Sequence, residues 1–153
     1  MSTGAAPDLP PHAYVPGQTP RHDASRFAAL HGSVRPGMDA EALARTEAWR
    51  AGLHFLRAGY FWEAHEALEP VWMQTAPNSP ARHLVQALIQ AANAGLKLRM
   101  RRPRATLRLC DLAAAHLAGC GTGPVMGLDP ADLEPVIAGF RHEAQTQLAQ
   151  NAI

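Results

Sequence analysis

From about residue 39 onward the apolar positions of this chain recur with a helical period. Trp49, Leu53 and Leu56 fall at i, i+4 and i+7. Asp39 is placed to cap that helix, and Gly59 to end it as a C′ glycine. A second helix, predicted over residues 61–75, follows almost at once, so the two form an antiparallel hairpin. On it Phe61, His65, Leu68 and Trp72 share one face, with Trp62, Glu66 and Glu69 just beside it. Pro77-Asn78-Ser79-Pro80 breaks the pattern. The third helix, residues 80–100, is apolar over most of its circumference, the mark of a central, buried helix. Its alanines and Gly95 let neighbours approach closely. Its polar stripe, Arg82, Gln86, Gln90, Asn93 and Lys97, occupies an arc of roughly 80°, with His83 at the edge. A fourth helix is predicted over residues 103–117, with Pro103 at N1. A glycine-rich loop follows, and then a fifth helix from about Asp129 with a stripe of Leu133, Val136, Ile137, Phe140, Ala144 and Leu148. No stretch alternates like a strand. The reading is an all-α fold, a compact bundle of about five helices containing one helical hairpin.

Residues 1–37 behave differently. They hold six of the thirteen prolines and almost no periodic apolar pattern, so they bury too little surface to offset their own ordering entropy. They are expected to form a flexible, irregular Pro-rich tail, disordered over residues 1–12. A turn is predicted at Tyr14-Val15-Pro16-Gly17, and Phe27 and Leu30 give a weak anchor. Residues 38–153 are expected to form a single helical domain.

Composition narrows the partners. A net charge near +1 gives no global case for nucleic acid or a membrane surface, and no apolar run approaches a membrane span. Thirteen of the fourteen basic residues are Arg, which reads as the codon bias of a GC-rich genome. Cys110 and Cys120 make neither a zinc motif nor a disulfide framework. A soluble, cytoplasmic protein is expected.

The chemistry concentrates in residues 60–72, where three carboxylates, a histidine and two tryptophans border one helix face. Burying such groups without partners is costly, and the polar stripe of the third helix could supply them, with the fork of Arg82 holding a carboxylate. The candidate cluster is therefore Glu63, His65, Glu66, Glu69, Trp72, Arg82, Gln86 and Gln90. It reads first as a satisfied interhelical network, and second as the lining of a ligand site or a small enzyme's centre using His65, Glu66 and Glu69. The zinc-protease pattern H-E-x-x-H fails, because Glu69 stands where its second histidine would be. No second Glu-x-x-His copy supports a di-iron bundle. No metal, cofactor or catalytic residue is assigned. Pro70 lacks an N–H, so the carbonyl of Glu66 loses its intrahelical donor and the helix is expected to bend. Six cations between Lys97 and Arg108 have no acid at hand, and they read as a solvated basic turn at a helix C-terminus.

The run from Ala58 to Trp72, Ala-Gly-Tyr-Phe-Trp-Glu-Ala-His-Glu-Ala-Leu-Glu-Pro-Val-Trp, followed by Arg82-His83-Leu84-Val85-Gln86-Ala87-Leu88-Ile89-Gln90, resembles domain-of-unknown-function family 309. The family's approximate pattern is G-x-[YF]-[FW]-E-A-H-E-x-L-E-x-x-W, then a helix with an L-[IV]-Q-x-L-I-Q core. The match covers residues 41–118 and extends loosely to Tyr14-Pro16-Gly17. The resemblance implies a compact bundle of about five helices and brings no activity with it. The functional expectation is a binding or interaction module for a protein or small-molecule partner. It excludes a membrane, argues against nucleic acid and leaves homo-oligomerisation open.

Overall fold

The computed structural model describes residues 8–152. Seven α-helices occur among them: α1 (Ala28–Gly32), α2 (Ala40–Leu43), α3 (Glu47–Ala58), α4 (Phe61–Gln74), α5 (Pro80–Arg99), α6 (Pro103–Ala118) and α7 (Glu134–Asn151). Two short 3-10 turns, Ala24–Phe27 and Pro130–Leu133, precede α1 and α7. No strand occurs among the described residues; Val125 and Leu128 form an isolated bridge. The fold is all-α, and no helix in this part is long and apolar enough to cross a membrane.

Local chemistry sets the boundaries. Asp39 caps a helix as expected, but only the one-turn α2. The chain then breaks, and the Thr46 hydroxyl accepts the Trp49 N–H to start α3 afresh. Gly59, at φ 83°, ends α3 in the left-handed conformation that glycine adopts without strain. Ser79 caps α5, and Pro103 opens α6. Asp129 caps the 3-10 turn before α7, so the last long helix begins one turn later than the apolar stripe predicts.

The central helix is α5, which packs against α4, α6 and α7, while α3 pairs with α4 as the predicted hairpin. Leu84, Val85, Ala87, Leu88, Ala91, Ala92 and Ala94 on α5 are all buried. A Cβ at Gly95 would stand 2.7 Å from the Phe61 ring, so the glycine is what lets α4 and α5 close.

The N-terminal segment lies on this bundle. Tyr14, Val15 and Phe27 are buried in it. The Gln18 amide donates to the carbonyl of Arg99, the Tyr60 hydroxyl to that of Pro10, and the Ala48 N–H to the Ser33 hydroxyl. Where the composition suggests a loose tail with a weak anchor, residues 8–34 form a strap with several. Of the disorder expected for residues 1–12, the part over residues 1–7 lies outside the described residues.

Candidate functional site

The eight candidate residues do not form one cluster. Helix α4 divides its polar side chains between two faces, and α5 meets only one of them.

Glu63 lies on the inner face, fully buried. Its Oε2 accepts the Tyr14 backbone N–H at 2.7 Å and a hydrogen bond from His22 Nε2 at 2.6 Å. The His22 side chain is itself 3% exposed. It stacks on His12 and packs beside Phe27 and Trp62, and Tyr14 meets Trp62 edge to face at 5.2 Å. Both partners of Glu63 thus come from the strap, none from the α5 stripe. Its second oxygen, Oε1, is buried without a hydrogen-bond partner among the described residues. Such a carboxylate is costly to bury, so docking of the strap is what makes its position tenable.

His65, Glu69 and Trp72 occupy the outer face. His65 Nδ1 lies 2.9 Å from Asn93 Oδ1 on α5, and Nε2 lies 3.4 Å from Glu69 Oε2. The two side chains are 32% and 58% exposed, so solvent screens the pair. Arg82 does not hold a carboxylate. Its guanidinium stacks on Trp72, 4.1 Å from the ring centroid, and donates to the carbonyl of Thr75. The reason is position: Arg82 sits in the first turn of α5, level with the C-terminal end of α4, where the free acceptor is a backbone carbonyl. The Glu66 carboxylate and the Gln86 and Gln90 amides are half-buried, with no hydrogen-bond partner among the described residues.

The Glu66 carbonyl is another matter. Deprived of its intrahelical donor by Pro70, it accepts a hydrogen bond from His31 Nε2 at 3.0 Å. A carbonyl cannot donate, so His31 must carry its proton on Nε2 here. Helix α4 runs through Pro70 without interruption, and α1 supplies what the proline removes.

Sequence reasoning missed Tyr14, His22 and His31. Two signals pointed to them. An acid within an otherwise apolar inner face required donors from outside its own helix, and Pro70 left a carbonyl in need of one.

A second histidine pair lies at the far end of α5. His83 and His116 bring their Nδ1 atoms to 3.2 Å, so one must accept and stay neutral there. The His116 pKa is lowered, chiefly by burial and then by His83. Burial raises the thiol pKa of Cys110 and of Cys120, which disfavours the nucleophilic thiolate. No group of three or more His, Cys, Asp or Glu side chains among the described residues is arranged to hold a metal ion.

Residues 49–109 match the model of a family described as "Domain of unknown function (DUF309)". This span runs from α3 into α6 and includes all eight candidate residues. No curated protein and no solved structure matches the chain.

Proposed function

Starting from the match of residues 49–109 to the DUF309 family model, we propose that the protein is an interaction module. It recognises a polypeptide partner through the outer face of the α4–α5 pair. One observation carries this reading: Glu66 on α4 and Gln86 and Gln90 on α5 are half-buried with unused hydrogen-bonding groups. Polar groups held partly out of water favour a partner that completes them. On the last turn of α4 Met73 is 64% exposed, an adaptable apolar contact of the kind found at binding surfaces. The two carboxylates, Glu66 and Glu69, suit a partner segment that offers Lys or Arg next to an apolar side chain. No proton-transfer role follows from the His65–Glu69 contact, which is long and open to solvent.

A photo-crosslinking residue tests this. Placed at Met73 and irradiated in the source cell, it is expected to give a defined adduct. That adduct should disappear when Glu66→Lys and Glu69→Lys are added. The same residue at Glu143, exposed on α7, should give none. Indistinguishable adducts from the two positions, or none from Met73, would overturn the reading.

A further inference from the structure

Away from that face, the C-terminal turn of α3, the start of α4 and one side of α7 line an open cavity of about 670 Å³. This falls within the roughly 300–1,000 Å³ typical of small-molecule sites. Its walls are mainly apolar, including Leu56, Leu133, Val136 and Phe140. Arg57, Arg99 and Asp132 are the charged residues in its lining.

Arg99 is held without a carboxylate. Its guanidinium lies over the Phe61 ring, 4.9 Å from the centroid. Gly59 leaves it room, since a Cβ there would come within 2.8 Å of Arg99 Nη2. Phe61 is steadied in turn by Phe140, edge to face at 5.4 Å, and by Gly95 beneath it. Gln18 from the strap holds the Arg99 carbonyl. Stacking occupies the flat face of a guanidinium and leaves its N–H edge free, the edge that grips a carboxylate in two parallel bonds. Neither Arg99 nor Arg57 has an ion-pair partner among the described residues. Two arginines against Asp132 leave one net positive charge at an apolar cavity. Lys97, Arg101 and Arg102 surround the same end of α5 and add to the cationic field.

We propose that this cavity binds an amphiphilic carboxylate, a monoanion with an apolar chain or ring. The apolar body lies on Leu56, Leu133, Val136 and Phe140, and Arg99 takes the carboxylate with help from Arg57. The apolar walls give a bare inorganic anion little to hold. A neutral molecule of the same shape forgoes the guanidinium.

Octanoate, 1-octanol and inorganic phosphate are suitable probes, titrated into the full chain and followed by amide NMR shifts. Octanoate is expected to bind saturably and to move the amides of Gly59, Arg99 and Val136. Both other probes should bind at least about tenfold more weakly. The double variant Arg57→Ala, Arg99→Ala should weaken octanoate by about tenfold or more and leave 1-octanol unchanged. Val136→Asp, at an exposed wall position, should abolish octanoate binding with the melting temperature held. Absence of saturable octanoate binding, octanol or phosphate binding as tightly, or an unaffected arginine variant would overturn the proposal.

Discussion

Glu63 and Glu69 are carboxylates on one helix, each beside a histidine, and their circumstances are opposite. Glu63 is fully buried with His22 at 2.6 Å, a partner brought from a distant part of the chain. Glu69 is 58% exposed with His65 at 3.4 Å, one helical turn away. The buried pair holds two segments together; the exposed one decorates a surface. Residue type and spacing made the outer pair look like the chemistry of the molecule. Burial shows that the inner one is where the chain concentrates its electrostatic risk.

Replacing the inner acid should break this contrast most severely. Glu63→Ala leaves the Tyr14 N–H and the His22 ring buried without their acceptor. Removing one member of a buried pair costs about 3–5 kcal/mol, or a fall of roughly 6–20 °C in melting temperature for a chain of this size. Circular dichroism on heating would read it, and a loss of only a degree or two would mean that the strap is not held by this contact. Arg82→Ala should be intermediate, because it removes a stacked guanidinium and one donor to a backbone carbonyl. We expect about 1–2 kcal/mol from these two terms, measured by urea unfolding with an unchanged m-value. Glu69→Gln should be smallest, within about 0.5 kcal/mol. A destabilisation equal to that of Glu63→Ala would erase the distinction between the two faces.

The helices were legible because their burial is periodic. Trp49, Leu53 and Leu56 repeat at the spacing of one face, and the caps at Asp39 and Gly59 and the proline at N1 of α6, Pro103, are local devices. The break between α2 and α3 was not legible, since Asp39 and Thr46 are both competent N-caps and only packing decides that both are used. The strap was opaque for a different reason. It docks through single side chains, Tyr14, Val15 and Phe27, and through hydrogen bonds to groups 41 to 81 positions away, at Glu63 and Arg99. Such contacts leave no period in the chain. Of the site, the α5 residues Arg82, Gln86, Gln90, Asn93 and Lys97 are all half-buried, and His65 reaches one of them, Asn93. Which acid faced that stripe depended on whether α4 turned Glu63 or Glu69 toward it, and that only the assembled bundle decides.

The strap also imposes an order in time. Tyr14 and His22 leave the ribosome before the helix that carries Glu63, and the carbonyl of Arg99 that receives Gln18 comes later still. At about 5–20 residues per second, some 2–10 s pass between synthesis of Tyr14 and of its acceptor. Throughout that interval Tyr14, Val15 and Phe27 have no bundle to enter, and they meet water or whatever else is near the tunnel exit. The strap, made before the helices it docks on, is thus among the last to settle, and the nascent chain carries its apolar anchors uncovered until α4 and α5 are complete.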